Sequence, residues 1–187
     1  MPAKQLVVAF SGHMTDAPNR PSPRFPEARV PAVRARIHGA LEKLGASLWG
    51  VCSGARGGDQ IFARALLDLG GSLTVVLPFP VEGFKQTSVG QGWNDGLDQL
   101  LRADRVQVLP PLYQALPVAQ AQQNQAFAEC NDVIVKTARE LAQRLSADSL
   151  FLALHHRTNT DARGGTLEVL EQWKRQGGRV EVIDPLE

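Results

Sequence analysis

Cys52-Ser53-Gly54-Ala55-Arg56-Gly57-Gly58-Asp59 decides how this chain of 187 residues is read. The stretch lies between an apolar run at 48–51 and a helical pattern that begins at Gln60, so it is a strand-to-helix turn. A helix N-terminus offers unpaired N–H groups and the positive end of its dipole, and glycine lets an anion approach the backbone closely. A second turn of the same kind, Arg163-Gly164-Gly165-Thr166-Leu167-Glu168, follows the apolar run 150–154 and opens a helical pattern that ends near Gln176. One such turn is weak evidence, because glycine is common in these loops for conformational reasons alone. Two of them on one sheet imply a phosphate-bearing ligand.

Working outward, apolar runs alternate with helical periodicity along the chain. Strands are expected at 5–10, 48–51, 72–77, 105–109, 149–154 and 179–183, and helices at 28–44, 60–69, 92–103, 119–145 and 166–176. The strand runs are mostly continuously apolar, as for strands covered on both faces, and each helix is long enough to be a crossover. The expectation is a single doubly wound, mainly parallel Rossmann-like α/β sheet with helices on both faces, one domain over 1–187. Gly45, Gly70, Gly71, Gly177 and Gly178 follow helices and read as C-caps.

Composition narrows the function classes. Twenty Lys and Arg against nineteen Asp and Glu leave a formal charge of +1, with the basic residues scattered, which disfavours nucleic acid as the main partner. Cys52 and Cys130 stand far apart without a CxxC or paired Cys/His spacing, so no disulfide framework and no metal site are expected. No run is long enough to span a membrane, and the short run 6–10 is too short for a signal segment, which reads as a cytoplasmic protein.

In open α/β sheets, ligands bind beyond the carboxyl ends of the strands, near the switch in strand order. That rule selects Ser11, Gly12 and His13 after the first strand, Arg24 in the proline-stiffened loop that follows, Ser53 to Asp59 after the second, and Gly164, Gly165 and Thr166 after the fifth. Arg56 is the expected phosphate contact, since a guanidinium forks onto two oxygens. Asp59 is either a first-turn acid or a partner for ligand hydroxyls, and His13 a base-edge or proton-transfer group. His155 and His156 end a strand and point to opposite faces, so at most one addresses the pocket.

The chain resembles the SLOG superfamily, the Rossmann-like group that includes the Lonely Guy phosphoribohydrolases and the DprA proteins. The resemblance rests on Phe10-Ser11-Gly12-His13, on Ser53-Gly54-Ala55-Arg56-Gly57-Gly58-Asp59 and on Gly164-Gly165-Thr166-Leu167-Glu168. It implies a pocket for a nucleotide or nucleotide-derived ligand with no further cofactor, and, by resemblance alone, a homodimer. Lonely Guy enzymes carry PGGxGTxxE, whose final glutamate assists cleavage between base and ribose phosphate. Here Val169 occupies that place, and Glu168, one residue earlier, is turned by about 100° on the helix. Sensing is therefore the leading expectation and N-glycoside cleavage the competitor, with Glu168, Asp59 and Asp16 as the carboxylates that would serve it. On that view Val169→Glu would raise base release.

Overall fold

The computed structural model describes residues 4–157 and 165–187. Its centre is a six-stranded sheet in the order β4-β3-β2-β1-β5-β6, built from β1 (Gln5–Gly12), β2 (Ser47–Cys52), β3 (Ser72–Val75), β4 (Val106–Val108), β5 (Asp148–Leu154) and β6 (Arg179–Ile183). Every neighbouring pair is parallel, with β1 flanked by β2 (Val8 opposite Gly50) and by β5 (Val8 opposite Leu150).

Alternation along the strands sends side chains to both faces, and each face is covered. Leu6, Val8 and Phe10 of β1 join a core with Ile37 of α1 (Val30–Glu42), Phe62 and Leu66 of α2 (Gly58–Asp68) and Leu97 of α4 (Asn94–Leu101). Val7 and Ala9 face the other way, with Ile134 and Ala138 of α5 (Gln120–Leu145) and Trp173 of α6 (Thr166–Arg175). The chain moves outward from β1 to β4 with its crossovers on one face, then returns to the other side of β1 with crossovers on the opposite face. Right-handed connections demand that division. The result is an α/β Rossmann-like sheet whose strand order switches between β1 and β5.

The elements differ from the sequence expectations mostly at their ends. β1 runs two residues further, to Gly12, because β5 pairs with it as far as Gly12, whereas its pairing with β2 ends at Ala9. The helix expected from residue 28 starts at Val30 after a 3-10 turn over Glu27–Arg29, with Pro31 in its first turn. A short helix α3 (Val81–Phe84) and a wide π-type turn (Lys85–Val89) occupy a stretch in which no element was expected. Gly45, Gly70 and Gly177 have positive φ at helix ends, as their cap reading requires. Both cysteines are buried and unpaired. Among the described residues no helix is long and apolar enough to cross a membrane.

Candidate functional site

A crevice of about 480 Å³ opens at the carboxyl edge of the sheet, over the β1/β5 switch. Ser11, Gly12 and His13 enter it from β1, Ser53, Ala55 and Asp59 from the turn into α2, and Gly165 and Thr166 from the start of α6. The described residues of both glycine-rich turns thus include members that line one cleft. Ser11 and Thr166, 155 positions apart, bring their hydroxyls to 3.2 Å across its floor. Gly164 lies outside the described residues.

The turn into α2 is held against β1 by several contacts at once. Phe62 stacks on Phe10 with centroids 4.5 Å apart, and the Gly58 N–H donates to the His13 carbonyl at 3.1 Å. Gly57 adopts φ +80, and a Cβ there would stand 2.7 Å from the Thr15 nitrogen; one on Gly58 would stand 3.0 Å from Cα of Gly12. Those two glycines allow the turn to lie close against the end of β1 and the segment that follows it. Gly54 likewise turns toward Leu97 of α4, 2.7 Å from where its Cβ would be. Of the glycines expected to cradle phosphate here, Gly54, Gly57 and Gly58 are spent on packing.

Asp59 is buried at the mouth of α2. Loss of solvent raises its carboxyl to about 7, and acceptance of the Ala55 and Gly12 backbone N–H groups offsets only part of that rise. It thus takes up or releases a proton near neutrality inside the crevice. Cys52 lies at the end of the adjoining strand, and burial, then the Asp59 charge, pushes its thiol well up, so it is an inert side chain.

The remaining sequence candidates separate. Arg24 lines the crevice, while its backbone N–H and that of Phe25 donate to Asp16 at 2.8 and 2.9 Å. Asp16 is therefore the clasp of the 13–25 loop and does not line the crevice. Arg56, expected as the phosphate contact, points the other way: its Nε donates to the Thr15 carbonyl and its side chain lines a neighbouring groove. Ala55 and Arg56 precede α2, with the non-helical Gly57 (φ 80, ψ -120) between them and its first turn, and Ala55 and Asp59 line one cavity while Arg56 and Gln60 line another. Glu168 is exposed on α6 and outside the crevice. Val169 is buried in the core between α5, α6 and the sheet. A glutamate at 169 would therefore bury a carboxylate instead of serving the cleft, which removes the expected gain in base release. His155 is buried against His13, ring centroids 4.6 Å apart, and His156 binds the Asp184 carboxylate through Nδ1 at 3.0 Å. Of the three, only His13 lines the crevice.

Sequence reasoning missed one whole wall. Gln120, Gln123, Phe127 and Asn131 come from the first half of α5, and Phe84, Thr87 and Ser88 from α3 and the π-type turn. At 26 residues, α5 is about 39 Å long against about 23 Å for a seven-residue strand, so its N-terminal turns overhang the carboxyl edge. That excess length was visible in the sequence; the direction of overhang was not. The wall supplies two aromatic rings, three amides and two hydroxyls. Among the described residues no cluster of His, Cys, Asp and Glu is arranged to hold a metal ion.

The fold and crevice define an open α/β protein with a switch-point cleft. No family model matches the chain, and no curated protein matches it. Among solved structures, it is similar to DNA processing protein A (DprA) from Streptococcus pneumoniae at 15% identity and a TM-score of 0.45, over 96% of this chain and 58% of that one. It is also similar to Streptococcus suis SuiB bound to S-adenosylmethionine, at 13% identity and a TM-score of 0.31, over 97% of this chain and 39% of that one. The chain spans less than two thirds of the length of either.

Proposed function

We propose that the crevice binds a nucleotide or nucleotide-derived ligand and that the protein works as a sensing module. The carrying observation is the convergence of the Ser11–Thr166 hydroxyl pair, the α6 N-terminus and Arg24 on one cavity. Phosphate belongs at that end. The α2 end is unsuited to an anion, since the Gly58 N–H is already bonded to His13 and Asp59 occupies the first turn. Asp59 is instead placed to bond sugar hydroxyls, and Phe84 and Phe127, with Gln123 and Asn131, form the wall against which a base fits.

A second reading, cleavage of an N-glycosidic bond, is favoured by one observation: among the described residues Asp59 is the carboxyl group that lines the crevice, and its pKa of about 7 suits general acid–base work at neutral pH. A thermal-shift screen over nucleoside monophosphates, cyclic and deoxy nucleotides and ADP-ribose, followed by chromatography for free base, separates the two. Sensing predicts stabilisation without base release; brisk release abolished by Asp59→Asn establishes the enzyme. With any phosphorylated hit, Arg24→Ala should weaken binding by about 1.5–3 kcal/mol, the usual cost of a charge-assisted contact, and leave the unphosphorylated analogue unaffected. Equal loss for both ligands would reject the assignment of phosphate to the α6 end.

A further inference from the structure

Behind the turn that carries Asp59 lies a larger cavity, about 910 Å³, between the 15–18 loop, α1, α2 and the segment 89–100. Gln60 and Arg64, four apart, share one face of α2, Arg56 lines the same groove from the turn just before the helix, and Arg34 faces them from α1. Among the described residues, none of these three arginines has a carboxylate within ion-pair distance: Arg56 donates to the Thr15 carbonyl and Arg64 to the amide of exposed Gln99. Of the two acids on the rim, Asp16 already accepts from the Arg24 and Phe25 N–H groups, and Glu27 stands exposed at the mouth.

The opposite wall is built to stay open. Gly90 and Gly92 adopt φ +76 and +89, and a Cβ on Gly92 would meet nothing within 4 Å. Half-buried Trp93 follows directly and lines the same groove. An indole beside three arginines without acidic partners matches a ligand with an aromatic face and several negative charges.

We infer that this groove is a second ligand site, distinct from the switch-point crevice, that takes a nucleoside polyphosphate, with the base on Trp93 and the phosphates on Arg34, Arg56 and Arg64. The inference is independent of what occupies the crevice. Arg34 and Arg64 are exposed, so reversing their charge leaves the core untouched.

Calorimetric titration tests it with ADP, pyrophosphate and adenosine as probes, against the unmodified protein, Arg34→Glu/Arg64→Glu and Trp93→Ala. Far-ultraviolet circular dichroism and melting temperature verify that each variant folds. The double charge reversal should weaken both ADP and pyrophosphate at one site by at least about tenfold, the scale of one lost charge-assisted contact. Trp93→Ala should weaken ADP about tenfold and leave pyrophosphate unchanged, as loss of base stacking requires. Arg24→Ala, a change in the crevice, should leave this site's affinity for pyrophosphate within twofold. Pyrophosphate or ADP affinity that survives the double reversal, no binding of either probe to the folded unmodified protein, or loss of this site with Arg24→Ala would each overturn the proposal.

Discussion

The two cavities share one wall and differ in almost everything else. The crevice at the sheet edge is lined by hydroxyls, amides, two phenyl rings and a buried carboxyl, with Arg24 as its cation among the described residues; the groove behind it is lined by three arginines and an indole. The dividing wall is the six-residue turn from Gly54 to Asp59. Side chains there go to different cavities on either side of the non-helical Gly57, so a stretch that reads in sequence as one phosphate cradle serves two surfaces. A glycine-rich strand–helix turn is thus ambiguous until the neighbours of each glycine are known. The segment after β1 lies against Gly57 and the last residue of β1 against Gly58, whereas Gly165 is a residue of the crevice lining.

That contrast is broken most severely by giving the shared wall a side chain. Gly57→Ala places a methyl against the Thr15 backbone at a positive φ, so strain and overpacking together should cost about 3–5 kcal/mol, read as a fall in denaturant midpoint. A loss below about 1 kcal/mol would mean that the turn is not clamped to β1 and that its glycines are available to a ligand after all.

Asp59 sharpens the comparison through pH. Its folded pKa of about 7 lies above its ordinary value of 3.8, so between those pH values the folded protein holds a proton that the unfolded chain has released. Stability present below about pH 4 is therefore lost as pH rises through 7, by an upper bound of about 4 kcal/mol. Asp59→Asn should flatten this dependence and leave the variant more stable than the unmodified protein at pH 8. Parallel stability profiles for the two proteins from pH 5 to 8 would show that the carboxyl is solvated and the crevice less enclosed than its walls indicate.

The smallest effect concerns the crevice floor. Ser11→Ala removes one partner of a half-buried hydroxyl pair and should cost about 1 kcal/mol of stability, with circular dichroism unchanged. If it also weakens a phosphorylated ligand without affecting the unphosphorylated form, the floor belongs to the phosphate end. Weakening of both forms alike would move the phosphate elsewhere in the cleft.

Local sequence carried the sheet and its edge: apolar runs bounded by glycine turns located all six strands, and continuous burial on both faces implied parallel pairing. The crossover rule then placed Ser11, His13, Asp59 and Thr166 at one edge, because those positions follow strand ends whatever the detailed packing. Direction of side chains within a turn is another matter. Arg56 and Asp59 differ by three positions, and which of them sees the ligand depends on how α2 is rotated against β1, a rotation set by the Phe10–Phe62 stack and the missing Cβ atoms of Gly57 and Gly58. The wall formed by Phe84, Thr87, Gln123 and Asn131 comes from segments 72 to 119 residues beyond the end of the first strand, and no local pattern marks them as neighbours of Ser11. Periodicity is a property of adjacent residues and survives in one dimension; a cavity is the space left between elements, and only their packing in three dimensions decides its shape and what lines it.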